Sequence, residues 1–161
     1  MSATFEAIED VLFRSPEHRL ARSNYPVVTV VQTRAADTDA SGRLSNAAIV
    51  SFYENAQLEL FDRIFGPRAR RMGPRLATAS IHVSYLHEAR YPGTLEVGCG
   101  LVSVDHSGFV IGQALFQEGL CIGAAEAVVG YAEANGLGPI SEDRRRAMLE
   151  LRLLGSEDAQ T

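Results

Sequence analysis

From Ala47 to Phe65 apolar residues recur at Ile49, Phe52, Tyr53, Ala56, Leu60 and Ile64, the spacing of one face of a helix, while Val50, Leu58, Phe61 and Phe65 widen the stripe. A helix this apolar needs cover on more than one side. Gly66-Pro67 ends it. Ahead of it, Tyr25-Pro26 opens the β-branched run VVTVVQTR, which has the composition of a strand. Behind it the period changes from helical to alternating. Ile81, Val83 and Tyr85 alternate with Ser80, His82 and Ser84, and Leu95, Val97, Cys99 and Leu101 form a second alternating set in TLEVGCGLVSV. The turn clusters Asp105-His106-Ser107-Gly108 and Glu118-Gly119 separate that segment from GFVIGQALFQ and LCIGAAEAVVGYAE, which predicts an antiparallel meander. Ser141 then caps a last short helix with Glu142 and Asp143 in its first turn.

The order is therefore strand, long apolar helix, then about four antiparallel strands. An α+β architecture follows, with a curved sheet wrapped around one central helix and burying its wide stripe. The open edges of such a sheet favour pairing with a second copy, as a homodimer or a further assembly into a tetramer. Residues 1–24 read as an N-terminal extension with a short helix over Thr4 to Phe13, and residues 25–161 as one domain. A chain of 161 residues is long enough to build its own core without staples.

Charge narrows the function classes. A net charge of −5 gives no general attraction to nucleic acid or an anionic membrane, so a polyanionic ligand would have to meet a local basic patch. Cys99 and Cys121 lack the paired spacing of a zinc or redox motif and sit in apolar segments, as thiols do in a reducing compartment. No basic leader with a long apolar core precedes them, and no run approaches the about 18 apolar residues of a membrane span. A cytoplasmic location is the expectation.

The segment AADTDASGRLSNAA, between the first strand and the helix, carries the chemistry. Asp37, Asp39, Ser41 and Gly42 open like a calcium loop, but the position that needs a bidentate glutamate is Ala48, and a strand rather than a helix precedes. Two readings remain. In one, the segment is a turn whose Ser45 or Asn46 caps the helix while an Asp accepts backbone N–H bonds. In the other, a carboxylate held just ahead of a helix start sits beside unpaired amides that can bind an oxyanion, an arrangement suited to attack on an activated acyl carbonyl. Of the histidines, His18, His82, His87 and His106 show no ligand spacing and read as non-catalytic, so no metal is expected. The run Arg144-Arg145-Arg146 reads as a solvated helix face.

DTDASGRLSNAAIVSFYENAQLELF resembles the signature of the 4-hydroxybenzoyl-CoA thioesterase branch of the hotdog-fold superfamily, D-x-D-x-x-G-H-V-x-N-x-x-Y followed by E-x-x-R. SYLHEARYPGTLEV is similar to that family's Y-x-x-P-A-x-x-G-D-x-L-x-V, and SGF and GLGP continue the likeness, which spans about Val27 to Leu151. The resemblance implies a hotdog fold and hydrolysis of an acyl-CoA thioester without a cofactor, coenzyme A being part of the substrate. It puts Asp39 in the place of the catalytic carboxylate and the backbone N–H of Asn46 in that of the oxyanion donor, with Gly42 allowing close approach of chain and substrate. It separates the two acids, leaving Asp37 to shape the turn. Arg43, Ile49, Tyr53, Ser107 and Gly108 fall at substrate-binding positions, and Ser103 lies near the last two. Arg68, Arg70, Arg71 and Arg75 could meet the phosphates of coenzyme A, or form a solvated basic loop.

Four positions depart from the pattern: Arg43 replaces its histidine, Ile49 its tyrosine, Gln57 its helix arginine and Thr94 its aspartate. The change at Ile49 implies an altered acyl pocket, and the change at Gln57 removes the partner of Glu54, which the pattern makes a buried structural charge. A non-catalytic module that binds acyl-CoA or an acyl-carrier protein is the alternative on the same scaffold. The histidine-containing pair of the dehydratases on this fold has no counterpart here.

Overall fold

The computed structural model describes residues 17–67, 74–132 and 139–155. Among them five strands form one antiparallel sheet: β1 (Val27–Gln32), β2 (Arg75–Tyr85), β3 (Thr94–Val104), β4 (Gly108–Gln117) and β5 (Leu120–Ala132), in the spatial order β1-β3-β4-β5-β2. Helix α1 (Asn46–Phe65) follows β1, and α2 (Glu142–Leu149) follows β5. Register shifts between Thr78 and Ser80, Leu101 and Ser103, and Leu115 and Phe116 each insert a bulge, and bulges bend a sheet. The curved sheet packs on one side against α1, the expected hotdog architecture. No helix among the described residues is long and apolar enough to cross a membrane.

The meander holds for β3, β4 and β5, but β2 does not join it at β3. It lies at the far edge beside β5, and β3 pairs with β1 instead. Alternation reveals that a segment is a strand facing a core; it does not reveal the neighbour. Residues 86–93 carry the chain from the β2 edge across the end of the sheet to β3. They are held there by Gln117, whose side chain accepts from Arg90 N and donates to Arg90 O at 2.9 and 2.8 Å.

Helix α1 starts at Ser45, whose Oγ accepts from Ala48 N at 3.2 Å, and stops at Gly66, whose φ of +83° a side-chain-bearing residue resists. It lies over β1, β3 and β4 and buries Ile49, Phe52, Tyr53, Ala56 and Leu60 against Leu95, Val97, Cys99 and Leu101 of β3. Two expectations fail for a shared reason: a single sheet covers only one side of a helix. Leu58 stays 39% exposed, and Glu54, expected as a buried charge, faces outward. Strand β2 lies outside the span of α1, so Ile81 and Val83 are only partly covered and Tyr85 is 48% exposed.

The opposite face of the sheet has its own small core of Tyr25, Ala114, Phe116, Cys121 and Leu153. Residues 17–26 run over it, with Arg19 paired to Glu126 at 2.5 Å and Arg22 paired to Glu96. Leu151 and Leu153 continue along the side of β3 that β1 leaves at Val27, exchanging backbone bonds with Leu101 at 2.9 Å. Cover on both faces explains why β3 buries Gly98 and Gly100 as well as its alternating apolar set. The expected helix over Thr4 to Phe13, Arg68, Arg70, Arg71 and most of GLGP lie outside the described residues.

Candidate active site

The segment after β1 turns back on itself in two small steps. Asp37 closes the first: its carboxylate accepts from Arg34 N at 2.7 Å and from the Arg34 guanidinium at 3.1 Å, and its own carbonyl accepts from Ser45 N. The Arg34 bonds hold the Asp37 carboxyl below the usual carboxylate range, against the burial that raises it. Asp37 thus shapes the turn, as the sequence suggested.

Asp39 governs the second step. Its Oδ1 accepts from Ser41 N at 2.8 Å, Ser41 Oγ at 2.5 Å and Arg43 N at 3.2 Å. Backbone bonds from Asp39 N to Arg43 O and from Gly42 N to Asp39 O close the loop, and Gly42 provides the φ of +78° that this closure requires. The Cβ direction of Gly42 is open. The three donors on Oδ1, the Ser41 hydroxyl foremost, hold the Asp39 carboxyl below its ordinary value, so it is an anion at neutral pH. Oδ2 makes no hydrogen bond among the described residues; its nearest cation is Arg43 Nε at 3.9 Å.

Asp39 and Asn46 line one cleft of about 320 Å³. Arg43, His87 and Glu88 complete its polar side; Leu44, Ile49, Tyr85, Leu86 and Ala89 form its apolar wall. The cleft lies where the start of α1 meets the segment crossing from β2 to β3. An antiparallel bridge between Arg43 and Arg90 and a 2.8 Å ion pair between Arg43 and Glu88 join the two. At the helix start, Ser45 Oγ satisfies Ala48 N, while the exposed amides of Asn46 and Ala47 meet no acceptor among the described residues. Asp39 and the first residue of the helix, Asn46, therefore border the same space.

Of the positions singled out in the sequence, the structure gathers Asp39, Asn46, Arg43 and Ile49 around this cleft. Tyr53 is fully buried on α1, its hydroxyl without a partner among the described residues. Ser107 and Gly108 sit at the turn into β4, whose other end, Gln117, borders the crossing segment; nine residues of strand, roughly 30 Å, separate them from it within one subunit. Arg75, at the start of β2, is likewise at the far end of its strand from Tyr85. His87 reads as non-catalytic in the sequence, and Glu88 is not singled out there. Beyond the histidine itself their signal is membership of SYLHEARYPG, and nothing in the spacing shows that this segment returns to the Asp39 turn. Among the described residues no group of three His, Cys, Asp or Glu is placed to hold a metal.

Residues 33–148 match the model of the thioesterase-like superfamily, and the chain belongs to that family. The enzyme class expected from the sequence, a thioester hydrolase, is the one the family is named for. None of the curated proteins matches the sequence significantly. Among solved structures, a predicted thioesterase from Bacillus stearothermophilus aligns with a TM-score of 0.72 at 21% identity over 78% of this chain and 96% of that one. A thioesterase from Thermus thermophilus, complexed with coenzyme A and zinc, aligns at 0.71 and 23% identity over 80% and 95% of the two chains. A 1,4-dihydroxy-2-naphthoyl-CoA thioesterase from Synechocystis aligns at 0.66 and 13% identity over 78% and 96%. At these identities the likeness establishes the fold.

Proposed function

We propose that the protein hydrolyses an acyl-CoA thioester to the free acid and coenzyme A, with Asp39 as the reacting carboxylate. The observation that carries this reading is the meeting on one cleft of Asp39, whose Oδ2 is unbonded among the described residues, with Asn46, whose amide and that of its neighbour Ala47 meet no acceptor among them. A thioester carbonyl oxygen received by those amides becomes more electrophilic, and the charge that develops on it is stabilised where the N–H groups already point. Oδ2 then either attacks the carbonyl carbon, expelling the thiolate and leaving an acyl-aspartyl anhydride that water cleaves, or takes a proton from the water that attacks. Both routes consume one water and need no cofactor, and thiolate is a good enough leaving group to depart without strong acid help.

Ile49, in place of a hydroxyl-bearing side chain, gives the acyl group an apolar wall with Leu44, Leu86 and Ala89. Coenzyme A is the carrier we favour over a carrier protein, as bound in the Thermus relative. Assembly as a homodimer fits the unpaired edge of the 11-residue strand β2, and a tetramer would require a second surface. Two buried free thiols suit a cytoplasmic setting.

The test is thiol release from acetyl-, isobutyryl-, hexanoyl-, palmitoyl- and benzoyl-CoA. Turnover of at least one, abolished in Asp39→Asn with fold and oligomer size unchanged, is expected. Binding of these thioesters without turnover would make the chain a binding module, and full activity in Asp39→Asn would remove that residue from the mechanism. Label from ¹⁸O-water found in Asp39 after turnover would establish the anhydride route, because it can arise only by attack of water on the Asp39 carbon of the anhydride.

A further inference from the structure

We infer that Glu88 is a positioning residue for the Asp39 carboxylate, acting through Arg43 and Ser41. The inference rests on the reading of Asp39 as the reacting group. It begins from a chain of contacts that crosses between two elements. Glu88, on the segment from β2 to β3, accepts from Arg43 Nη1 at 2.8 Å; Arg43 Nε donates to Ser41 Oγ at 2.9 Å; Ser41 Oγ donates to Asp39 Oδ1 at 2.5 Å.

The direction of each bond is fixed by chemistry. A guanidinium only donates, so Arg43 must occupy a lone pair of the Ser41 hydroxyl. That hydroxyl has one proton, and with its lone pair engaged it delivers the proton to Oδ1. The bonds polarise one another in the same sense, from cation to hydroxyl to carboxylate. Oδ1, with two amides added, is saturated, which fixes the carboxylate and leaves Oδ2 as the oxygen free to react.

Glu88 decides whether this chain holds together. Arg43 is 55% exposed, and a guanidinium on a long stem exposed to water does not stay in one place for a single hydroxyl contact. The carboxylate of Glu88 takes the end of the fork and leaves Nε facing Ser41, so both contacts form in one rotamer. The backbone bridge between Arg43 and Arg90 brings the two segments close enough for the pair to form. Arg43 is thereby committed to the carboxylate rather than left free for substrate. An exposed ion pair of this kind contributes little to folding, which separates its effect on Asp39 from an effect on stability.

The test uses the full chain and whichever of the five thioesters turns over fastest. Glu88→Gln is expected to lower kcat about tenfold, the effect of one lost charge-assisted hydrogen bond, with KM changed less than about twofold and the melting temperature unmoved. Arg43→Lys, whose single ammonium cannot serve Glu88 and Ser41 together, is expected to show the same loss. In a Ser41→Ala background the Glu88→Gln substitution should cost nothing further, because the chain is already cut. Unchanged kcat in Glu88→Gln overturns the inference. So does a loss that persists undiminished in the Ser41→Ala background with KM raised, since Glu88 would then be meeting the substrate directly. Activity in Asp39→Asn at the wild-type rate instead overturns the reading of Asp39 itself, which keeps the two failures apart.

Discussion

Gln57 of α1 donates through Nε2 to Oε1 of Gln113 on β4 at 2.8 Å, and both side chains are buried. Gln113 Nε2 in turn donates to the carbonyl of Tyr53 at 2.8 Å, so one amide pair ties two successive turns of the helix to the middle of the sheet. A charged partner at this depth would have to be neutralised; two amides satisfy each other without charge.

Removing half of this pair should cost more than removing all of it. Gln57→Leu leaves Gln113 Oε1 buried without a donor and is expected to lower stability by about 1–3 kcal/mol. Gln57→Leu with Gln113→Leu should recover part of that, although Tyr53 O then loses its extra donor. Urea unfolding midpoints decide it, and a double variant no more stable than Gln57→Leu alone would sink this account.

Gly98 is a position of close approach. A Cβ there would meet the Tyr25 ring at 2.5 and 2.7 Å, and Tyr25 is pinned by its hydroxyl, which donates to Arg19 O at 2.8 Å. Gly98→Ala is expected to destabilise by about 1–3 kcal/mol through overpacking and to loosen residues 17–26 from the sheet. Faster hydrogen exchange at those residues would register the loosening, and a variant with unchanged exchange and stability would show that Tyr25 moves aside freely.

What the sequence showed and what it hid divide along a physical line. Local signals were enough for the period of α1, a cap at Ser45 or Asn46, the Gly66 stop and the β3-β4-β5 meander, because each depends on neighbours within a few residues; the turn-shaping role of Asp37 came from the family resemblance. Pairing of β2 with β5, the meeting of Glu88 with Arg43 45 residues away, and the burial of Gln57 beside Gln113 depend on which distant segments meet. Side chains on α1 illustrate the same limit: periodicity marked Leu58 and Ile49 alike as apolar, but only the position of the sheet leaves Leu58 exposed and turns Ile49 to the cleft.

Asp37 supports the turn that presents Asp39. Asp37→Ala removes the acceptor for Arg34 N and the guanidinium together, and should cost about 1–2 kcal/mol, as the loss of a side-chain cap does. Activity should fall as well, because Ser45 N, which donates to Asp37 O at 2.8 Å, sits at the start of α1 next to the open amides. Thermal melting and kcat measured on one preparation test both; loss of stability with kcat intact would show that the turn keeps its shape without Asp37.

The pH dependence of hydrolysis should report Asp39 directly. Its carboxyl is held below the ordinary value, by the Ser41 hydroxyl first and then the Ser41 and Arg43 amides, so the reactive anion persists through the mildly acidic range. The groups facing it are Arg43 on its own turn, His87 and Glu88 on the crossing segment and Tyr85 at the end of β2. For stability the sign is the same. Asp37 and Asp39 have folded values below the unfolded value, so their contribution is present above about pH 4 and fades as the pH falls through the folded values. The acid limb of kcat/KM is therefore expected below about pH 4, close to where the fold itself begins to weaken. Ser41→Ala removes the largest of the three influences and should move that limb upward, with circular dichroism showing the fold intact across the shift. A limb that stays in place in Ser41→Ala would mean that the hydroxyl does not hold Asp39 in the working enzyme, and a wild-type limb near pH 6 would assign the titration to a group other than this carboxylate.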